Sequence, residues 1–564
     1  MYPNSFTKHL LIVVGLTVIA WHASLGADTP AVGPADIALS FTSPFDGTQQ
    51  PYRLYLPSAY DGNQPTPLLV AMHGTGGDQN KYFDDAAYHN GVYKQEAEKR
   101  GLAILCPFGN DSLNRPTEWR GVGEIHVLAA IEEVQRRFCI DPERIVLTGQ
   151  SMGGTGTTYL CCRYPDVFAA GIPLASTYGH VSLVANLRHV PMLYVHGAKD
   201  WPAYAKTGPI PLTKEMERLG YDGTLRMIPE VSHNTMAVST ERVVEWALQQ
   251  RRTAHPRHVT HRAYFPPHGR AWWVEIQAVD RIGWFAEVDA KIEAGNQIHV
   301  TLKNAARVVL RPDAGLLDLA ASIVVRLDGA SVFNALCTSD QEILLVKDAA
   351  RWTAIAQPRR IASHTDPRSM IIGVVEQAPE WSGDVETTLG NWLTDAMRDI
   401  SGADIAICNK GHFRHGKHFR GASVKAGQTV YLIDFINWLR PSESALATFS
   451  MRGADLLEVI EDNIRDKPGE SRFLVQVSGC RYRFDRKRAK GKRIVFTDIE
   501  PDREYKVVCN SSAITRTDIL HLAGRYDQLA YELLEPNILS AAWYFTNKHK
   551  GKISARLEGR VEEK

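Results

Sequence analysis

The stretch Ile145-Val-Leu-Thr-Gly-Gln-Ser-Met-Gly-Gly154 constrains the fold of this chain more than any other. A short apolar, β-branched run stops abruptly at Gly149-Gln150-Ser151-Met152-Gly153, and the residues from Thr155 to Tyr164 are compatible with a helix. A strand of a buried sheet must therefore end and a helix begin at once. Small residues before and after Ser151 let the backbone turn tightly enough to hold its hydroxyl clear of the sheet. A bare Gly-x-Ser-x-Gly arises by chance in a chain of 564 residues, so the rest of the sequence has to supply what this serine lacks.

The flanking pattern supports an α/β sheet. From Ala38 to Leu56 polar and apolar residues alternate, as in antiparallel edge strands. Continuous apolar runs follow at Pro67 to Met72, Leu102 to Cys106, Ala169 to Leu174 and Pro191 to Val195, together with Arg144 to Thr148 ahead of the serine. Helical spacing lies between them, over Tyr82 to Lys99, Glu124 to Phe138 and Thr213 to Leu219. Buried strands alternating with helices predict a sheet covered on both faces, with ligands bound beyond the carboxyl ends of the strands.

Polar groups gather at those carboxyl ends. The first long strand delivers His73-Gly-Thr-Gly-Gly77, the central one Ser151, and the strand at Met192 to Val195 delivers His196-Gly-Ala-Lys-Asp200; Ser232-His233 follows farther on. A serine hydroxyl needs a base near neutrality, and that base needs a carboxylate to hold its tautomer. The expected set is Ser151, His233 and Asp200, with Asp222 as the fallback acid. The oxyanion donors are expected to be the N–H groups of Met152 and Thr75. His73 and His196 read as loop-shaping residues. Trp119 and Trp201 flank the expected mouth, either lining an acyl or aryl pocket or only packing.

The order Ser151, Asp200, His233 is that of an α/β-hydrolase. With Asp141-Pro-Glu-Arg144 and Thr148-Gly-Gln-Ser-Met-Gly-Gly154, the segment from about Ser40 to Leu248 resembles the secreted esterases of the feruloyl esterase and polyhydroxybutyrate depolymerase group. The resemblance implies ester hydrolysis through an acyl-enzyme, without metal or cofactor, on a small-molecule or polymer-borne ester.

Outside that segment, residues 1–27 read as a secretory signal. An apolar run from Leu10 to Trp21 precedes small residues at Ser24-Leu25-Gly26-Ala27. The expected location is secreted or periplasmic, an uncleaved anchor being the alternative. The formal net charge of +1 argues against a nucleic-acid surface. The eight cysteines show no metal-type spacing and no disulfide framework, although Cys139 with Cys161 or Cys162 is one conceivable pair.

The hydrolase domain is expected over residues 38–251, with a basic linker from Arg251 to Arg262. Alternating segments from Ala271 to Lys347 then predict a small β-sandwich, residues 263–358. Its expected role is packing on the hydrolase or shaping its cleft, with carbohydrate binding through Trp272, Trp273 and Trp284 as the minor alternative.

An α+β unit is expected over residues 367–560. Glu386 to Arg398 has helical spacing, and Ala403 to Asn409 reads as a strand. Asn409-Lys-Gly-His-Phe-Arg414, Tyr431 to Asn437, Met451 to Leu457 and Phe473 to Tyr482 resemble the C-terminal domain of 5'-nucleotidases. In that family the domain binds base and ribose, which makes Asn409, Arg414, Phe435 and Asn437 candidate nucleotide contacts here. The chain has no Asp-x-His and no Gly-Asn-His-Asp/Glu series, so the family's two-metal phosphatase is missing. The family's later Gly-Gly-Asp-Gly segment is also missing after Asn510. Two readings result: an exported serine esterase, or a nucleotide-related hydrolase or binding protein whose C-terminal domain sets the function.

Overall fold

The computed structural model describes residues 33–88, 91–110, 114, 116–177, 180–360, 370–377, 385–409, 425–438, 444–465, 474–515, 529–554 and 556–564. The segment 1–27 expected to be a secretory signal and Arg414 lie outside the described residues.

The N-terminal domain is built on eight strands: β1 (Ala35–Thr42), β2 (Gln49–Leu56), β3 (Thr66–Met72), β4 (Ala103–Pro107), β5 (Ile140–Gln150), β6 (Ala170–Leu174), β7 (Met192–Gly197) and β8 (Gly223–Ile228). They lie side by side in the order β1-β2-β4-β3-β5-β6-β7-β8. β1 pairs antiparallel with β2 and β2 with β4, and every pairing from β4 to β8 is parallel. β1 alternates in burial while β4 and β6 are buried throughout, as an exposed edge and a doubly covered centre require.

The helices of this domain are α1 (Lys81–Asp84), α2 (Val92–Arg100), α3 (Val122–Arg137), α4 (Met152–Arg163), α5 (Pro202–Thr207), α6 (Pro209–Leu219) and α7 (Thr240–Leu248). The continuous helix expected over Tyr82 to Lys99 is interrupted. α1 stops before Asp85, and Gly91, with φ +85°, precedes α2 in a left-handed conformation that a helix cannot pass through.

The central domain packs two five-stranded sheets face to face. One runs Arg270–Ala271, Val274–Val279, Ala305–Leu310, Gln341–Asp348, Arg351–Pro358; the other Ala330–Ala335, Ile323–Leu327, Gln297–Lys303, Ala286–Glu293, His258–Ala263. The expected linker is thus shorter than it reads, because His258–Ala263 is an edge strand paired with Ala286–Glu293. Its charged and histidine residues hid an alternation in which Val259 and His261 point inward. The tryptophans are engaged in packing. Trp272 and Trp273 donate their indole N–H groups to the carbonyls of Thr253 and Pro256 at 2.9 and 2.8 Å, and Trp284 stacks under Arg281 against Tyr544.

In the C-terminal domain a five-stranded sheet runs Val475–Ser478, Ile405–Asn409, Glu504–Asn510, Ala445–Arg452, Glu532–Asn537. Around it lie α8 (Thr388–Ser401), α9 (Leu432–Trp438) and α10 (Gly453–Asp462). Thr387 caps α8, its hydroxyl accepting the Gly390 N–H at 3.0 Å. Leu389, Trp392, Leu393, Ala396 and Met397 form the buried face of α8.

Each domain touches the other two. Asn186 on the N-terminal domain exchanges two hydrogen bonds with the Arg262 backbone, at 2.7 and 3.0 Å. Glu124, fully buried, accepts from His268 at 3.0 Å and from the Tyr159 and Tyr164 hydroxyls. The sandwich meets the C-terminal domain where Tyr264 donates to the Glu535 carbonyl at 2.7 Å and Phe265 packs on Trp543. The C-terminal domain returns to the N-terminal domain through Ile433, buried against Val122 and Ile125. All eight cysteines are free, so Cys139 is not bridged to Cys161 or Cys162. Among the described residues, no helix is long and apolar enough to cross a membrane.

Candidate active site

β5 ends at Gln150 and α4 starts at Met152, so Ser151 alone makes the turn, with φ 58° and ψ −112°. A non-glycine residue held there stores about 1–3 kcal/mol of strain. The surroundings impose it. The Ser151 N–H donates to the Leu174 carbonyl at 2.8 Å, and a Cβ on Gly149 would lie 2.5 Å from the carbonyl carbon of Gly153. Only glycine at both positions lets strand and helix meet so closely.

His233, in the loop after β8, places Nε2 2.8 Å from Ser151 Oγ and Nδ1 2.8 Å from Asp200 Oδ2. Asp200, buried at the end of β7, also accepts the Trp201 N–H on Oδ1 at 2.7 Å, which fixes the carboxylate plane. His196 Nε2 lies 3.3 Å from Asp200 Oδ2, and burial holds its imidazole below the usual histidine range, hence neutral beside the carboxylate. The three polar residues read from the sequence therefore form one continuous hydrogen-bonded line. Asp222, the fallback acid, lies at the opposite, amino end of β8, where its carbonyl accepts the Met192 N–H.

Gln150 was not singled out by its residue type, yet it braces this line. Its amide Nε2 donates to the His233 carbonyl at 2.6 Å, and its Oε1 accepts the Thr235 hydroxyl at 2.9 Å. The only sequence signal was its position, the residue between Gly149 and the serine.

The glycine-rich loop passes beside Ser151, a Cβ on Gly74 coming within 3.6 Å of the serine Cβ. The Gly74 N–H is taken by the Tyr88 hydroxyl at 3.1 Å, leaving the next amide, that of exposed Thr75, without an intramolecular acceptor among the described residues. The Met152 N–H, at the first position of α4, has no helical acceptor either, and both sit at the positive end of a helix or in a turn where an anion is stabilised.

His73 supports that loop. Its Nδ1–H donates to the Gly74 carbonyl at 2.8 Å and its Nε2 accepts the Gly109 N–H at 3.0 Å, which requires the neutral ring. Burial pushes its pKa down to about 4. Trp119 lies fully buried behind it, donating its indole N–H to the His73 carbonyl at 3.0 Å. Of the two tryptophans expected at the mouth, Trp119 packs beneath the loop, while Trp201 is 68% exposed and stands edge-on to Tyr204, which leans on His233.

The nucleotide candidates are more dispersed. Asn409 is buried at the end of its strand. Phe435 is only 1% exposed, packed between Trp392 and Trp438 with ring centroids 5.4 Å away on each side. Asn437, two residues on along α9 and therefore on another face, lies against Gly121 of the N-terminal domain. Among the described residues, no three His, Cys, Asp or Glu side chains come together as a metal-binding set.

Residues 46–273 match the family model of putative esterases, and residues 371–518 match that of the 5'-nucleotidase C-terminal domain. The chain joins an esterase domain to a 5'-nucleotidase C-terminal domain. Its esterase domain is similar to feruloyl esterase B of Talaromyces funiculosus, 26% identical over 189 residues, which covers 31% of this chain and 51% of that protein. It is similar also to poly(3-hydroxyalkanoate) depolymerase C of Paucimonas lemoignei, 30% identical over 132 residues, 22% of this chain and 30% of that protein. Among solved structures, a thermostable esterase is 24% identical, with 38% of this chain and 63% of that chain covered and a TM-score of 0.33. The chain thus spans about half the length of the feruloyl esterase and less of the depolymerase.

Proposed function

We propose that this protein is an exported serine esterase that cleaves a small-molecule or polymer-borne carboxylic ester through an acyl-enzyme. The observation that carries the reading is the line Ser151 Oγ, His233, Asp200, with both hydrogen bonds at 2.8 Å, at the carboxyl edge of the sheet of an esterase domain. Ser151 Oγ attacks the ester carbonyl carbon as His233 Nε2 takes its proton, and Asp200 stabilises the imidazolium. The Met152 and Thr75 N–H groups hold the oxyanion. The intermediate collapses by breaking the bond to the alkoxy oxygen, which leaves with the proton from His233. Water, deprotonated by the same histidine, then attacks the acyl-enzyme and releases the acid and free Ser151. The residues required are all side chains and amides of this chain, so the reading expects no cofactor. Export is supported by the apolar run from Leu10 to Trp21 ahead of Ser24-Leu25-Gly26-Ala27.

The full chain is expected to hydrolyse p-nitrophenyl acetate and butyrate in the presence of EDTA, and Ser151→Ala to abolish it. A wild-type chain that is folded and silent on a panel of acyl sizes would overturn the reading.

The matched 5'-nucleotidase C-terminal domain supports a second activity, nucleoside binding by Asn409, Arg414, Phe435 and Asn437. It has weaker support, because Phe435 is only 1% exposed and already contacts Trp392 and Trp438, so its ring is not open to a base. Calorimetric titration of the full chain with adenosine and AMP tests it, and absence of heat at millimolar ligand removes it.

A further inference from the structure

The C-terminal domain reaches the support of the ester site from behind. On α9, Ile433 is buried against Val122 and Ile125 at the start of α3, with Phe45 and Tyr431 packed at the rim. One turn farther along, Ile436 and Asn437 close on Gly121: a Cβ there would lie 2.7 Å from Asn437 Oδ1 and 3.3 Å from Ile436 Cγ2. Gly121 ends a short turn in which Glu118 and Trp119 also have positive φ, 59° each. Consecutive left-handed residues are strained and persist only where neighbours hold them.

Two sets of neighbours do so. Inside the hydrolase, Thr117 donates its hydroxyl to the Gly109 carbonyl at 2.6 Å and accepts the Trp119 N–H at 3.1 Å. From the C-terminal domain, α9 presses on Gly121. The turn in turn delivers Trp119 into a slot between Gly109 and Gly156, where a Cβ on Gly156 would lie 2.5 Å from the Trp119 Cβ. There the indole N–H holds the His73 carbonyl, and the ring stands edge-on to the imidazole at 4.9 Å. His73 is bonded on to Gly74 and Gly109, a Cβ on Gly74 would lie 3.6 Å from the Ser151 Cβ, and the next residue in the chain is Thr75. A contiguous path of close contacts thus joins α9 to the expected oxyanion donor.

We propose that α9 is a positioning element of the ester site: by closing on Gly121 it clamps the Thr117 to Gly121 turn, and through Trp119 and His73 it fixes the Thr75 N–H against Ser151. The C-terminal domain is then part of what makes the esterase competent, with Ile433 and Asn437 as its positioning residues. This inference rests on the esterase reading above. It also accounts for Asn437 facing the hydrolase.

The test uses the full chain and p-nitrophenyl acetate kinetics, with thermal unfolding recorded for every variant. Turnover by the wild type that is lost in Ser151→Ala establishes the esterase; its absence is a failure of that reading and not of this one. Given turnover, Ile433→Asp puts a carboxylate into the apolar contact and is expected to lower kcat about a hundredfold, with KM within about threefold, as loss of transition-state positioning requires. Ile433→Val, which keeps the contact apolar, is expected to stay within about twofold of wild type in kcat. Asn437→Ala is expected to lower kcat about fivefold with unfolding unchanged. A folded Ile433→Asp chain with kcat within about twofold of wild type, or with the loss confined to KM, overturns the proposal. If Ile433→Asp does not fold, Asn437→Ala decides by the same criteria.

Discussion

Ser151 and Gly121 adopt nearly the same backbone conformation, φ 58°, ψ −112° and φ 56°, ψ −114°, and each stands immediately before a long helix. They differ in what occupies the space in front of the Cα. At Ser151 the side chain projects toward His233, its hydroxyl 2.8 Å from Nε2, and a non-glycine residue is held in the strained conformation. At Gly121 the same space is filled by Asn437 and Ile436 of another domain, and glycine is the residue that lets them approach. One geometry therefore aims a hydroxyl at an imidazole in one place and admits a neighbouring domain in the other. The choice between serine and glycine is made by what faces the turn.

The largest expected effect comes from erasing that difference at the nucleophile. Ser151→Gly should lower kcat by about a millionfold, as removal of a serine nucleophile does elsewhere. It should also raise the unfolding temperature slightly, since about 1–3 kcal/mol of strain is relieved. Turnover and calorimetry on the same sample measure both, and a lower unfolding temperature would mean that the turn is not strained.

Next is the pH dependence of the loop beside Ser151. His73 has a folded pKa depressed to about 4, below the ordinary value of 6.5, so below that ordinary value the unfolded chain binds more protons. Its contribution is fully present above pH about 6.5 and is lost as pH falls from there to about 4, amounting to roughly 3 kcal/mol. Urea unfolding of wild type and His73→Gln at pH 7 and 4.5 should show a smaller loss in the variant. The turn at Gly121 contains no histidine, and an equal loss in the two proteins would place the acid sensitivity elsewhere.

Gly121→Ala should cost about 1–3 kcal/mol, from the positive φ and from the methyl group meeting Asn437. If docking rather than the backbone sets the cost, Gly121→Ala with Asn437→Gly should recover part of it, which a double-mutant cycle measures. A much smaller effect on turnover than that of Ser151→Gly is expected for Gln150→Ala. Loss of two hydrogen bonds from the His233 loop should lower kcat about tenfold, equal to about 1.4 kcal/mol, with KM little changed. A change in KM alone would show that Gln150 does not hold the histidine.

Much of the first domain was legible because parallel strands buried on both faces are written as unbroken apolar runs. β3, β4, β6 and β7 fall within a residue or two of their expected positions. The chain order of Ser151, Asp200 and His233 pointed to a set that the fold does bring together. The helix over Tyr82 to Lys99 was misread because its periodicity runs across Gly91, whose positive φ no spacing rule reports. The edge strand His258–Ala263 was missed because its histidines and arginine made it read as linker, although most of it is buried, and Arg351–Pro358 because none of its residues is buried and no apolar run marks it. Trp119 and Phe435 illustrate the opposite problem. A tryptophan or phenylalanine near a site has the same letter whether it lines the cleft or packs beneath it.

By itself the sequence determined the elbow at Ser151, the alternation that builds the sheet beneath it, and the order in which acid and base arrive, because each depends on residues close in the chain or on burial that repeats along it. Only the tertiary structure decided that Gln150 holds the His233 loop, that Trp119 supports His73 from below, and that α9 of the C-terminal domain closes on Gly121. Those contacts join residues 83, 46 and more than 300 positions apart, as from Gln150 to His233, from His73 to Trp119 and from Gly121 to Asn437. They follow from the packing of whole domains, which local pattern does not encode.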